Sequence, residues 1–93
     1  MSTTDFEHAS KQVNNLNTKP SNEDLLEIYG LYKQATVGDM PEGTKKPGML
    51  DFKGKKKHEA WESLRGTSKV TAQGRYVRKV KSIFTAQGIE YPQ

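Results

Sequence analysis

The sequence predicts an all-α fold, four helices packed as a bundle, and three observations carry that prediction. Apolar residues recur at intervals of three and four in separate stretches. Those stretches are bounded by helix-capping residues, prolines and glycines. No segment shows the apolar–polar alternation of a half-buried strand. A length of 93 residues allows one small domain.

The first helix is expected over about 4–16. Thr4 stands as an N-cap with Glu7 as its reciprocal acid, and Phe6, Ala9, Val13 and Leu16 form the apolar stripe. The stretch from Asn17 to Pro20 breaks it. Ser21 caps a second helix over 22–37, with Glu23 and Asp24 at the positive end of its dipole, Leu25, Ile28, Tyr32 and Ala35 on one face, and Gly38 as its stop. Residues 39–53 hold two prolines and two glycines without a period, so they read as a long loop. Loops longer than about 12 residues in a compact domain tend to be functional or mobile. The third helix, 54–65, carries Ala60, Trp61 and Leu64 among charges and closes at Gly66. Thr67 or Ser68 caps the fourth, 68–87, whose stripe is Tyr76, Val80, Ile83 and Gln87 with Val77 and Phe84 beside it.

Composition predicts a thin core. Hydrophobic residues make up 32% of the chain, and Leu, Ile, Val and Phe together number only 17. That borders on the disordered range, but a net charge of +4 gives too little self-repulsion to keep the chain open. A core this thin is one that a ligand's own apolar surface could complete. With no cysteine there is no disulfide framework, thiolate zinc site or thiol nucleophile. The sequence shows neither a secretory h-region nor an apolar run of membrane-spanning length, so a cytoplasmic protein is expected. His8 and His58 are the only histidines, and no hydrolase, Walker or zincin motif accompanies them. The chain is therefore read as a binding protein and not an enzyme, without cofactor or metal.

Charge is divided unevenly. Residues 1–44 carry seven carboxylates and three lysines, a balance of −4, whereas residues 45–93 carry twelve cations and four carboxylates, a balance of +8. An anionic partner is implied, whether nucleic acid, a membrane surface or a phosphorylated small molecule. Tyr29, Tyr32 and Lys33 share a face of the second helix by their spacing, and Lys53, Lys55, Lys56 and Lys57 cluster at the third. Singly, these are ordinary features: half-buried tyrosines beside a solvated lysine, and a solvated cationic face. In combination they suit a nucleotide, since aromatic faces stack on a base while ammonium and phenol groups meet phosphate oxygens.

The segments YGLYKQATVGD (Tyr29 to Asp39), KPGMLDFKGK (Lys46 to Lys55), AWESLRGTSK (Ala60 to Lys69) and RYVRKV (Arg75 to Val80) closely resemble the acyl-CoA-binding protein family. The similarity runs from about Phe6 to Ile89, as in a free-standing small member. It implies an up-down-down-up four-helix bundle that holds one medium- to long-chain fatty acyl-CoA non-covalently, for transport and buffering. Carried over by position, Tyr29, Lys33 and Lys57 would take the 3′-phosphate and Tyr32 would stack on the adenine. Lys53 and Tyr76 would line the rest of the head-group site. Gly30 and Leu31 fall within the same binding stretch, and Leu25, Leu26 and Met40 are candidates for the acyl groove. Three positions depart from the family pattern: Asn14 where many members have lysine, His58 where tryptophan is common, and a loop over Met40 to Lys46 about two residues longer.

Magnitudes suggest a division of labour. At about 0.8 kcal/mol per buried methylene, a sixteen-carbon chain offers on the order of 10 kcal/mol before the costs of binding, against roughly 1–3 for a base stack. The alternative to a lipid-carrying nucleotide is a small basic helical nucleic-acid-binding protein. No recognition-helix or RNP-like motif supports it, so no nucleic-acid partner is expected. The expected state is a monomer with no stable membrane insertion and at most transient membrane contact.

Overall fold

Side-chain caps set where three of the four helices begin. In the computed structural model, which describes residues 3–93, the elements are α1 (Thr3–Gln12), α2 (Asn22–Thr36), α3 (Phe52–Glu62) and α4 (Lys69–Ala86). The Ser21 hydroxyl accepts from the Asp24 amide at 3.1 Å, and the Ser68 hydroxyl from the Thr71 amide at 3.0 Å. Both caps are where the sequence predicts them.

Two helices differ from expectation at their ends by more than one residue. α1 already includes Thr4, so that residue does not cap it, and what precedes Thr3 lies outside the described residues. Its expected last turn tightens into a 3-10 turn, Val13–Asn15, after which Leu16 is extended. Asn14 and Asn15 are poor helix formers, and the Asn15 side-chain amide donates to Gln12 Oε1 at 2.9 Å. α3 starts at Phe52, two residues before the expected boundary. Asp51 is its cap, accepting from the Gly54 amide at 2.9 Å, and a Cβ at Gly54 would collide with that carboxylate. Gly54 thus makes room for the cap and does not mark the start. α3 also ends early, at Glu62, in a turn where the Leu64 and Arg65 amides donate to carbonyls three residues back.

Contacts at both ends of each helix pair fix the topology. Lys79 pairs with Asp24 at 2.8 Å, and Gln73 Nε2 donates to the Ala35 carbonyl, so α2 and α4 run antiparallel. Lys57 lies over Tyr29 and Lys33 over Trp61, so α2 and α3 run parallel. Phe6 meets Tyr76, while Thr18, beyond α1, meets Gln87, so α1 follows α4. The bundle is up-down-down-up. α4 supplies Ala72, Tyr76, Val77, Val80, Ile83 and Phe84 to a core completed by Phe6 and Ala9 of α1 and Ile28, Leu31 and Ala35 of α2. Gln87 is not a core stripe residue. Its amide instead brackets both backbone groups of Thr18.

α3 stands apart from that core. Its one buried side chain is Trp61, and it packs principally on α2. The approach is close: a Cβ built on Gly30 would lie 2.6 Å from the Ala60 carbonyl oxygen. The Trp61 indole N–H donates to the Gly38 carbonyl at 2.9 Å and pins α3 to the end of α2. Asp39 latches the neighbouring turn, its Oδ1 accepting from the Gln34 amide at 2.9 Å and the Gly66 backbone amide at 2.8 Å. The Gly66 bond, then Gln34, hold the Asp39 carboxyl below its ordinary value.

Gly30→Ala is expected to lower the unfolding free energy by about 1–3 kcal/mol, because its methyl meets rigid backbone, with the denaturant slope unchanged. Asp39→Asn tests the latch by its pH dependence. A carboxyl with a lowered folded pKa contributes stability that is present above its ordinary value of 3.8 and is lost as pH falls through the folded value. The stability gap between wild type and variant should be constant near neutrality and shrink in acid. A gap independent of pH would contradict the latch.

Candidate functional site

The parallel α2–α3 pair carries a repeating arrangement of cations and rings. Tyr29 and Lys33 are one turn apart on α2, and Lys57 and Trp61 one turn apart on α3. Lys57 Nζ stands 5.4 Å from the centre of the Tyr29 ring, and Lys33 Nζ 4.8 Å from that of Trp61. Each ammonium is thus held over an aromatic face of the opposite helix, on adjacent turns. Two long side chains that would otherwise wander are positioned before any ligand arrives, which lowers the ordering cost of meeting an anion.

Tyr32 occupies the next position on the same side of α2. The residue is 42% exposed and its ring stacks on Phe6, with centroids 5.7 Å apart and planes inclined by 30°. Tyr76, at 6.0 Å from Tyr32 and 5.0 Å from Phe6, lies beneath. Burial, and then the neighbouring Tyr32 and Tyr91 phenols, push the Tyr76 hydroxyl up to about 12. It stays a protonated donor at any physiological pH. A ring plate, a buried phenol and two poised ammoniums are groups able to stack on an aromatic base and to bond phosphate oxygens.

A cleft of about 460 Å³ opens between the N-terminal halves of α2 and α3, within the size range of small-molecule sites. Leu25, Leu26, Tyr29 and Phe52 give it apolar surface, and Lys19, Lys53, Lys56 and Lys57 line it with cations. The sequence-predicted Leu25, Leu26, Tyr29, Lys53 and Lys57 therefore come together in one place. Lys33 and Tyr32 continue from it along α2, and Tyr76 of α4 lies against Tyr32. Three other candidates do not line the cleft. Gly30 is buried against Ala60, Leu31 is fully buried in the core, and Met40 is 3% exposed. Of the departing positions, Asn14 is exposed in the 3-10 turn, and His58 pairs with Glu62 at 3.0 Å outside the cleft.

Sequence reasoning did not single out Phe6, Phe52 or Trp61 for the site. Phe6 reads as stripe, Phe52 as loop and Trp61 as core, and each gains its second role only from the helix pairing. The i, i+4 spacing of Lys57 and Trp61 mirrors that of Tyr29 and Lys33, but the match has meaning only once the two helices are known to be parallel. A second recess of about 300 Å³, between Glu27 and the Arg75, Arg78, Lys79 and Ser82 side of α4, has cations but no ring. Its Lys79 is engaged by Asp24 and Glu27. Among the described residues no cluster of metal-ligating side chains occurs, and no helix is long and apolar enough to cross a membrane.

Comparison with known proteins bears on this geometry. Residues 3–80 match the family model described as acyl CoA binding protein. The chain is 48% identical over 84 residues to an acyl-CoA-binding protein of Gossypium hirsutum, covering 90% of this chain and 92% of that one. It is 50% identical over 78 residues to acyl-CoA-binding protein 2 of Saccharomyces pastorianus, covering 84% and 87%. The crystal structure of ACBP from Moniliophthora perniciosa is similar with a TM-score of 0.87 at 39% identity, over 97% of this chain and 87% of that one.

The Tyr76 phenol gives the site a pH signature of its own. A raised phenol contributes stability that is present below its ordinary value of 10.0 and is lost as pH rises to about 12. Tyr76→Phe is expected to stay within about 1 kcal/mol of wild type at neutral pH, with the gap between them changing in favour of the variant only across that alkaline window. Chemical denaturation at stepped pH reads it. Parallel curves throughout would contradict the burial of the hydroxyl.

Proposed function

The chain belongs to the acyl-CoA-binding protein family, and on that premise we propose that it binds medium- to long-chain fatty acyl-CoA esters non-covalently, carrying and buffering them in the cytoplasm as a monomer. The observation that carries the reading is the α2–α3 cleft, where Leu25, Leu26 and Phe52 lie beside Lys53, Lys56 and Lys57. Apolar surface suits the methylenes of an acyl chain, and the cations suit the phosphates to which that chain is tethered. Lys33 and Lys57, each poised over a ring, together with Tyr29 take the 3′-phosphate. Tyr32, backed by Phe6, offers its exposed ring surface to the adenine, and Tyr76 donates its hydroxyl into the head-group region. Gly30 and Leu31 act from behind, by letting α3 approach and by filling the core.

In this reading the chain binds and does not catalyse. The acyl tail supplies most of the affinity, and the head group enforces selection of the CoA ester over free fatty acid. No nucleic acid is needed to account for the basic half: its cations at α3 face a small anionic ligand.

Lys33→Ala and Lys57→Ala are each expected to weaken palmitoyl-CoA binding by about 1.5–3 kcal/mol in calorimetry, with little effect on the 3′-dephospho ester. Equal losses on both ligands would overturn the phosphate assignment. Palmitoyl-CoA at a hundred times Kd should stabilise the fold by about 2.7 kcal/mol and raise the melting midpoint by about 10 °C or more. Palmitate alone should raise it little. An equal shift from palmitate would contradict the division between tail and head group.

A further inference from the structure

Three large apolar side chains stand out from the surface where the α2–α3 loop enters α3: Met49 is 81% exposed, Leu50 84% and Phe52 67%. The backbone that presents them is held by hydrogen bonds. The Asp51 amide donates to the Gly48 carbonyl at 3.0 Å, the Asp51 carboxylate caps α3, and Lys55 Nζ donates to the Met49 carbonyl at 3.0 Å. The other exposed large apolar residues among the described ones, Tyr32, Val37 and Val70, are each less exposed than these and are scattered in sequence. Around the protrusion, residues 45–57 contain six lysines and one carboxylate, Asp51, which the cap already engages. That local balance of +5 exceeds the +4 of the whole chain. Phe52 also lines the cleft, so the protrusion stands at its edge.

We infer that this protrusion docks the protein on membrane surfaces carrying anionic phospholipids, with Met49 and Leu50 entering the interfacial zone and the surrounding lysines facing the head groups. Apolar side chains ringed by cations match the two attractions such a surface offers. A nucleic acid would use the lysines and leave Met49 and Leu50 in water. A second copy of the chain would bring the same excess of positive charge to the contact. Docking here would turn the edge of the cleft toward the bilayer, and only that consequence, a route for an acyl chain between membrane and cleft, rests on the acyl-CoA reading.

Ligand-free full-length protein is mixed with phosphatidylcholine vesicles, with or without about one quarter phosphatidylserine, and the bound fraction is read by sedimentation. Binding is expected on the anionic vesicles and not on the neutral ones. The double variant Met49→Ser, Leu50→Ser should partition about tenfold less, with its melting midpoint unchanged because both residues are exposed. A second variant, Lys45→Glu with Lys46→Glu, should lose a comparable share. Absence of binding to anionic vesicles overturns the inference. So does wild-type binding by the serine variant, which would mean adsorption through charge alone, and so does a preference for oligonucleotides that the serine variant keeps. Palmitoyl-CoA calorimetry without vesicles separates the two readings: ligand binding without vesicle binding overturns the docking surface alone, and vesicle binding without ligand binding overturns the proposed function alone.

Discussion

The missing side chain at Gly30 is what the site depends on. It lets the backbone of α2 lie against the Ala60 carbonyl of α3, and a Cβ there would meet that oxygen at 2.6 Å. From this approach the rest follows. Lys33 reaches the face of Trp61, Lys57 reaches that of Tyr29, and the Trp61 indole closes on the Gly38 carbonyl. Held apart by even a methyl group, the helices would lose the register in which each cation meets a ring. Rigid packing around a missing methyl is costly to relax, which makes one glycine a control point for several contacts.

Because α3 leans on α2 and contributes one buried side chain, it is free to carry charge. A helix in the middle of a bundle must be apolar over much of its girth, whereas one at the margin can be mostly lysine and still be held. This accounts for a composition with so few core residues. The stable mass of the molecule is α4 with α1 and the inner face of α2. The outer face of α2 and all of α3 but its Ala60–Trp61 contact with α2 stand outside that mass. Asp39, bonded to Gln34 and Gly66, fastens the turn after α2 to the α3–α4 connection, so that the margin keeps its place relative to the core.

Much of this was legible in the sequence, for identifiable reasons. Ser21 and Ser68 cap through local hydrogen bonds that short-range pattern encodes, and the stripes of α2 and α4 follow from burial of one face. The α1 terminus was less legible, since Val13 and Leu16 keep the helical spacing while Asn14 and Asn15 tighten the backbone beneath them. The start of α3 is less legible, because the Asp51 cap sits within a Pro- and Gly-rich segment and needs Gly54 to be small. Tyr29, Lys53 and Lys57, singled out by spacing, clustering and family resemblance, do line the α2–α3 cleft. The parts played by Phe6, Phe52 and Trp61 were not, because each depends on a neighbour distant in sequence. Nor could pattern alone show that Gly30, Leu31 and Met40, in or near the binding segment, turn inward to packing.

The proposed lie of the acyl chain between α2 and α3 is tested most directly by a palmitoyl-CoA analogue with a nitroxide at the end of its chain. In the bound state, paramagnetic broadening of backbone amides should be strongest along the first two turns of α2 and the first turn of α3, near Leu25, Leu26 and Phe52, and weak across the buried face of α4. Broadening centred on the Arg75 to Ser82 face of α4, or spread evenly over the molecule, would contradict it.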